Sequence, residues 1–289
     1  IFLLVGYSMS EELDALRAAA IEQDRCFSKG RLRDEFRMKP KPGVEPVTYY
    51  KNGYGGEFGV YRIADCVPMR PIKAGRSEKQ KKAAKRLGIM SKLESGLAQA
   101  GKRAENWLTQ DCYVLDTETT GLSDNDQIIE IAVCDASGRV CYEQRISPSV
   151  PINPKAEEVH GISLDDLVGC PKWPEIVNDL QTLLTGQTVV TYNSDFDLDM
   201  LRNTSQAFQT DDAWLNTLNI RCAMELSVQA FGATNRYGTI SLANAAEAAG
   251  VSWPGEAHSA KVDALVTFGV LRALSDHYRQ LHIELERIQ

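Results

Sequence analysis

The stretch YVLDTETTGL, residues 113–122, decides the interpretation of this chain. Its apolar start predicts a buried β-strand, and the same stretch then places Asp116 and Glu118 two residues apart. On a strand, residues two apart direct their side chains to the same face of the sheet. Two neighbouring carboxylates raise each other's pKa unless a cation neutralises them, so the pair is compatible with a divalent metal site. The alternative is a strand-end aspartate that caps the following turn.

A second acidic segment, TYNSDFDLDML (191–201), follows a predicted strand and opens a predicted helix. It contains Asp195, Asp197 and Asp199. An aspartate near a helix N-terminus usually complements the helix dipole, but three aspartates in so short a segment exceed what that role needs. The segment is therefore a second candidate source of metal ligands.

A third segment, EAHSAKVDALVTFGVL (256–271), begins with His258 and continues as a predicted helix. Asp263 lies among the apolar positions of that helix. A carboxylate with apolar neighbours needs a partner or a metal. His258 precedes Asp263 by more than one helical turn, and we expect it to face the same cleft.

In this order, the motifs DTETTGL, YNSDFD and HSAKVD resemble the three exonuclease motifs of the DEDDh family of 3′–5′ exonucleases. That family includes the proofreading subunit of bacterial DNA polymerase III. The resemblance covers about residues 110–280, and INPKAEEVHGIS (152–163) matches a further family segment. It implies an α/β, RNase H-like fold with a central mixed sheet flanked by helices.

The resemblance also implies a role for each motif residue. The spacing Asn-x-x-Phe-Asp selects Asp197 as the ligand of the second motif and leaves Asp195 and Asp199 as accessory residues. His258 corresponds to the general base. For His160 the alternative is a structural histidine. The implied metal ligands are Asp116, Glu118, Asp197 and Asp263, and the implied substrate-binding residues are Thr119, Gly121, Leu122, His160 and Asn193.

The reaction implied by the resemblance is hydrolysis of DNA, RNA or both from the 3′ end. Two Mg²⁺ or Mn²⁺ ions would activate the attacking water and neutralise the leaving 3′-oxygen. His258 would accept the proton of that water, since an imidazole can do so at neutral pH. The product would be a nucleoside 5′-monophosphate. The alternative is a non-catalytic nucleic-acid-binding protein or a polymerase-associated proofreading subunit.

Charge is distributed unevenly along the chain, although the net charge is −7. Residues 70–103 carry eleven Lys and Arg against two Asp and Glu, whereas residues 104–289 carry eleven against twenty-seven. A basic segment therefore joins an acidic domain. We predict a domain boundary that separates 1–109 from 110–289, and a smaller α+β N-terminal region that binds nucleic acid, a polymerase or another protein.

Local signals predict the elements of the N-terminal region. Residues 10–38 are helix-prone, and the Pro-rich stretch 39–46 indicates a linker. Asn52-Gly53 lies between aromatic and β-branched residues, which predicts a hairpin; its exposed aromatic rings are alternatively faces for base stacking. Capping boxes at Ser77/Gln80 and Ser91/Glu94, with Gly88 as a stop, predict helices over 78–87 and 92–107.

Further along, hydrophobic patterns predict strands at 112–116, 127–136, 138–146 and 188–193 and helices at 173–185, 195–204, 221–230, 241–249 and 259–282. A three-stranded meander followed by alternating strand and helices is typical of an α/β fold.

The cysteine count adds an expectation about the compartment. The chain has seven cysteines and no CxxC pair, which predicts reduced thiols and a cytoplasmic location. No apolar run approaches the length needed to span a membrane, so we expect no membrane partner.

Overall fold

A computed structural model describes residues 9–51, 56–70, 77–255 and 257–288. The chain forms two compact units, one of residues 1–99 with 279–289 and one of residues 100–278. The division into 1–109 and 110–289 stays a prediction of domain organisation.

The smaller unit combines short strands with helices. One antiparallel sheet has the strand order β1-β4-β3, and β2 pairs with β5 in a second. Phe27, Leu32 and Ile63 are buried in its core. The elements are α1 (Met9–Glu22), β1 (Cys26–Ser28), α2 (Lys29–Asp34), β2 (Met38–Pro40), β3 (Thr48–Lys51), β4 (Glu57–Arg62), β5 (Cys66–Pro68) and α3 (Glu78–Leu93).

Of two predictions for the start of this unit, the long helix is wrong and the hairpin is confirmed. The helix expected over 10–38 ends at Glu22, because Phe27 and Met38 are buried in short strands, and their packing overrides local helix propensity. The predicted hairpin is confirmed as the antiparallel pair β3–β4. Asn52 and Gly53 lie outside the described residues.

The predicted helix stop at Gly88 is wrong, because α3 continues through it to Leu93. The next residue, Ile89, is buried against Ala98 and Leu281, so its burial favours continuing the helix. The predicted cap at Ser91 is also wrong, since Ser91 lies inside α3. The Ser77/Gln80 capping box is confirmed.

The larger unit is built on a five-stranded mixed sheet with the order β10-β9-β6-β7-β8. The antiparallel meander β6-β7-β8 is joined by β9, which runs parallel to both β6 and β10. This arrangement confirms the predicted α/β class with a mixed central sheet. The strands are β6 (Tyr113–Thr119), β7 (Ile128–Cys134), β8 (Val140–Arg145), β9 (Thr188–Thr191) and β10 (Asn219–Cys222).

Helices cover this sheet and bury its core. Trp173 is fully buried, and its indole N–H donates to Ser205 Oγ at 3.1 Å. The sequence did not predict α5 or β10, and the helix expected from residue 221 begins at Ala223 because β10 runs through Cys222. The helices are α4 (Gly96–Thr109), α5 (Pro154–His160), α6 (Trp173–Leu184), α7 (Ser194–Ala207), α8 (Ala223–Phe231), α9 (Leu242–Ala249) and α10 (Ala260–Glu286).

All seven cysteines are free thiols. Within the described ranges, no helix combines the length and apolar character needed to cross a membrane.

Candidate active site

The acidic residues of the three motifs converge at β6. Asp116 and Glu118 lie on this strand, Asp197 lies in the first turn of α7, and Asp263 lies in the first turn of α10. A carboxylate oxygen from each of Glu118 and Asp263 and a ring nitrogen of His258 lie within 4.8 Å of one another. The register of β6 against β7 shifts directly after Glu118, and such bulges commonly redirect side chains near active sites.

Burial and mutual repulsion raise the pKa of these carboxyl groups. Burial is the main cause of the raised pKa of Asp116, and the charge of Asp197 adds to it, followed by those of Asp263 and Glu118. Burial also raises the pKa of Glu118 to about 8 and that of Asp197 to about 7. The pKa of Asp263 is raised for the same reason. Each of these groups therefore binds a proton more readily than an isolated carboxyl group does, and nearby positive charge would oppose this.

Two hydrogen bonds orient individual members of the cluster. The Thr117 hydroxyl donates to Asp197 Oδ1 at 2.9 Å, and the backbone N–H of His258 donates to Asp263 Oδ1 at 3.2 Å. His258 is exposed and has a φ of 64°, in the left-handed region. A non-glycine residue there costs about 1–2 kcal/mol, and such strain is characteristic of functional sites. The ring of His258 thus lies beside two carboxylates and remains open to solvent.

Glu130 belongs to this cluster, although the sequence analysis did not identify it. It is buried on β7 directly opposite Glu118. Its Oε1 accepts from the backbone N–H of Ala260 at 3.0 Å, and its Oε2 accepts from Arg145 Nε at 2.9 Å. Ser259 Oγ also donates to Oε1, at 3.4 Å. Glu130 therefore fixes the N-terminus of α10, which carries Asp263, to the sheet. The available signal was one charge in the otherwise apolar strand IIEIAVC.

A cavity of about 550 Å³ opens beside Glu118. Leu122 is 84% exposed and Val159 is 54% exposed, so two apolar side chains are displayed to solvent at this cavity. Gly121 is required by close packing, since a Cβ there would lie 2.6 Å from Asp126 Oδ2. The lining residues are Thr117, Glu118, Thr119, Gly121, Leu122, Ser123, Asp126, Asn153, Lys155, Ala156, Val159, His160 and Phe196.

His160 lines this cavity and also has a structural role. Its Nδ1 accepts from the backbone N–H of Ile162 at 3.0 Å, and its Nε2 lies 3.2 Å from the carbonyl oxygen of Thr119. A ring that accepts at Nδ1 carries its proton on Nε2 and donates it to that carbonyl. Burial lowers the pKa of His160, which agrees with this neutral form. The imidazole therefore ties the loop after α5 to the end of β6.

Three residues of the second motif, Asn193, Asp195 and Asp199, do not line the cavity. Asn193 is exposed at the start of α7, and its side chain makes no capping hydrogen bond. Asp195 and Asp199 are exposed on α7, and Asp199 lies 3.9 Å from Arg202. The structure thus gathers Asp197 into the acidic cluster and leaves its two neighbouring aspartates in solvent.

Comparison with known proteins identifies the family of this chain. The family model RNase_T, described as exonuclease, matches residues 113–271. The chain belongs to the RNase_T exonuclease family. An uncharacterized exonuclease CP81 from Escherichia phage 186 is 34% identical over 184 residues, which cover 62% of this chain and 95% of the phage protein. The uncharacterized protein pSLT049 of Salmonella typhimurium is 46% identical over 122 residues, 42% of this chain and 88% of that protein.

Two further similar proteins match over less than half of their own length. DNA polymerase III subunit epsilon of Treponema pallidum is 37% identical over 90 residues, which cover 30% of this chain and 42% of that protein. A solved structure of exonuclease I has a TM-score of 0.51 and 17% identity, and the match covers 60% of this chain and 42% of exonuclease I. The fold is therefore RNase H-like, and this chain spans less than half of both proteins.

Membership of an exonuclease family implies divalent metal ions, and the donor set fits them. Four clustered carboxyl groups with raised pKa values need nearby positive charge to ionise together. Oxygen donors of this kind suit hard divalent cations. The residues that would hold such ions are Asp116, Glu118, Asp197 and Asp263.

Proposed function

We propose that this chain is a metal-dependent 3′–5′ exonuclease that cleaves phosphodiester bonds of DNA or RNA and releases nucleoside 5′-monophosphates. The observation that carries the proposal is the clustering of four carboxyl groups and His258 beside a cavity of about 550 Å³. That volume falls in the range that small-molecule sites occupy. The 3′–5′ direction rests on the resemblance of the three motifs to the DEDDh exonucleases.

In this proposal the carboxylates of Asp116, Glu118, Asp197 and Asp263 hold two Mg²⁺ or Mn²⁺ ions. Bound there, these ions would polarise the scissile phosphate, lower the pKa of a water molecule and neutralise the leaving oxygen. Thr117 keeps Asp197 oriented through its 2.9 Å hydrogen bond. Glu130 keeps Asp263 in place through the N-terminus of α10.

His258 is the proposed general base. Its ring is within 4.8 Å of the Glu118 and Asp263 oxygens, and it is exposed to solvent, so it can take the proton of the attacking water and pass it to bulk water. The Asp263 contact holds the backbone of His258 rather than its ring, so both ring nitrogens stay available in the described part of the chain.

The cavity is the proposed site for the terminal nucleotide. Leu122 and Val159 offer exposed apolar surface to a base, while Lys155 offers a cation to a phosphate. Thr119 and Gly121 form the backbone wall next to Glu118, and the Thr119 hydroxyl is already engaged with the Gly121 carbonyl at 2.7 Å. Asn193 remains a proposed substrate contact on the resemblance alone.

A proofreading subunit that works with a polymerase is the second candidate. It is favoured by the relative from Treponema pallidum, which is named DNA polymerase III subunit epsilon. A non-catalytic form is disfavoured because all five motif positions are present in the sequence.

The test uses matched DNA and RNA oligomers, each labelled at the 5′ end, with and without a blocked 3′ end. We expect shortening from the 3′ end, release of nucleoside 5′-monophosphates and no turnover in EDTA. Asp116→Asn and His258→Gln should each lower the rate at least about 100-fold. Glu247→Gln, on the exposed face of α9, serves as the matched control. Full activity of Asp116→Asn, or digestion from a 5′ end, would refute the proposal; binding without turnover in Mn²⁺ would favour the non-catalytic alternative.

A further inference from the structure

The smaller unit contains a basic cavity that the exonuclease site does not use. It has a volume of about 460 Å³, and its lining includes Lys29, Arg33, Lys39 and Lys41. Within the described part of the chain, no aspartate or glutamate lines it. Four cations around one cavity favour an anionic ligand.

The four cations differ in their neighbouring carboxylates, and the charge of Glu45 acts on Lys29. Arg33 pairs with Asp34 at 2.6 Å, but none of Lys29, Lys39 and Lys41 forms an ion pair among the residues that the structure describes. Lys41 instead donates to the carbonyl oxygen of Ala64 at 3.4 Å. All three lysines are exposed, so a ligand can reach their ammonium groups from solvent.

Aromatic side chains adjoin these lysines. The ammonium of Lys29 lies 5.1 Å from the ring centre of Tyr61, which lines the cavity. Contact with the Tyr61 hydroxyl is the main cause of the raised pKa of Lys29, and Tyr49 also contributes. Tyr49 pairs with Gly59 in the β3–β4 register, which places it on the sheet face that carries Tyr61. Tyr49 is 55% exposed.

Cations beside an exposed aromatic ring are the combination that binds unpaired nucleic-acid strands, because phosphates meet the cations and bases stack on the ring. Residues 104–289 carry eleven Lys and Arg against twenty-seven Asp and Glu. A region with this excess of negative charge repels a polyanion everywhere except at its proposed metal site. A cationic site elsewhere on the chain would therefore raise the affinity of such an exonuclease for nucleic acid.

We propose that the basic cavity of Lys29, Arg33, Lys39 and Lys41 binds backbone phosphates of a single-stranded nucleic acid, with a base stacked on Tyr49. This inference rests on the proposed function, since it names a contact for the same class of substrate. It does not require the catalytic residues, so binding is measurable in EDTA, where the strand is not degraded.

The test measures fluorescence anisotropy of a labelled 20-nucleotide single strand with the full chain in EDTA, over a range of salt concentrations. The triple variant Lys29→Ala/Lys39→Ala/Lys41→Ala should raise Kd at least about 10-fold at low salt. It should also lower the slope of log Kd against log salt by about 2, at about 0.7 for each phosphate contact in a single strand. The matched Lys→Arg triple variant keeps the charges and should stay within about 2-fold of the wild type, and Tyr49→Ala should weaken binding several-fold.

Three results would overturn the proposal. The first is an unchanged Kd and salt slope in the alanine variant. The second is an equal loss in a variant that replaces Lys79, Lys85 and Lys92 of α3 by alanine, which would assign the effect to general charge. The third is competition by free nucleoside monophosphate as effective as by the strand, which would indicate a small-molecule site. Circular dichroism verifies folding of each variant. Hydrolysis of a nucleoside p-nitrophenyl phosphodiester by the wild type tests the proposed function separately.

Discussion

Replacing Glu130 by glutamine tests whether the sheet holds α10 in a catalytically competent position. The substitution keeps the size of the side chain and removes its charge. The lost interactions are the ion pair with Arg145 at 2.9 Å and the charge-assisted hydrogen bond from Ala260 at 3.0 Å. The new amide N–H₂ group also has to face one of these two donors, so one donor is left without an acceptor.

The magnitude follows from these contacts. A hydrogen bond to a charged group contributes about 1.5–3 kcal/mol and a neutral one about 0.5–1.5 kcal/mol, so each of the two contacts loses about 1 kcal/mol. A buried donor left unpaired costs about 1–3 kcal/mol more. The loss is partly offset because the Glu130 charge raises the pKa of Asp116 and Glu118, so its removal relieves repulsion. We expect a net loss of about 2–4 kcal/mol, or roughly 4–16 °C in Tm for a unit of this size.

Differential scanning fluorimetry and steady-state cleavage kinetics measure the two consequences. A loosened α10 displaces Asp263 and His258, the proposed metal ligand and general base, and small displacements of such groups cost about 10–100-fold in rate. We expect kcat to fall by that factor while KM changes little, and more Mn²⁺ to be needed for half-maximal activity. Arg145→Gln is the matched control: it breaks the ion pair but leaves the α10 contact. Because the Arg145 side chain is 46% exposed, this variant should lose at most about 1 kcal/mol.

Equal effects of Glu130→Gln and Arg145→Gln on Tm and kcat would refute the reasoning. In that case the contact with Ala260 would contribute nothing measurable to Tm or kcat, and the burial of Glu130 would not determine the position of α10.

Three further predictions follow from the structure. In EDTA the folded protein holds the protons of Glu118 and Asp197 more tightly than the unfolded chain, whose carboxyl pKa values are about 4. The free energy of unfolding should therefore fall as pH rises from about 4 to about 8. Mn²⁺ should raise Tm more at pH 8 than at pH 6, because fewer protons then compete with the ion. A stability that rises with pH in EDTA would contradict this assignment. Gly101→Ala should lower the free energy of unfolding in urea by about 1–3 kcal/mol, because a Cβ would collide with the backbone of α10. Gly88→Ala should instead raise it by about 0.5–1 kcal/mol, because a Cβ at this position inside α3 meets open space. Leu122→Ala should raise KM for an oligomer several-fold without changing Tm, because this side chain is 84% exposed; an unchanged KM would remove it from the substrate site.

The local pattern of the chain was sufficient for four of the five strands of the central sheet and for several candidate carboxylates, but β10 and Glu130 were missed. Asp116 and Glu118 share a face because alternation on a strand is a two-residue property, readable directly from the sequence. Asp263 was conspicuous as a carboxylate among apolar helix positions. The order of the three motifs supplied the family resemblance, and the matched family model agrees with it.

Errors arose where a distant contact outweighed a local signal. Gly88 is a plausible helix stop in isolation, but α3 continues because Ile89 is buried against Ala98 and Leu281. Residues 26–28 and 38–40 became strands because they pair with partners more than twenty residues away. A propensity worth less than about 1 kcal/mol per residue yields to such burial.

The sequence by itself determined the fold class, because strand alternation and helical periodicity are properties of neighbouring positions, and the resemblance of its three motifs to a known family supplied the proposed metal ligands. Tertiary structure alone decided how these groups are held. Glu130 acts on Ala260 across 130 residues of chain, and the four lysine and arginine side chains of the basic cavity meet only after α2 and β2 pack together. Contacts of this kind depend on which surfaces become buried against each other, and no local pattern in a single sequence encodes that choice.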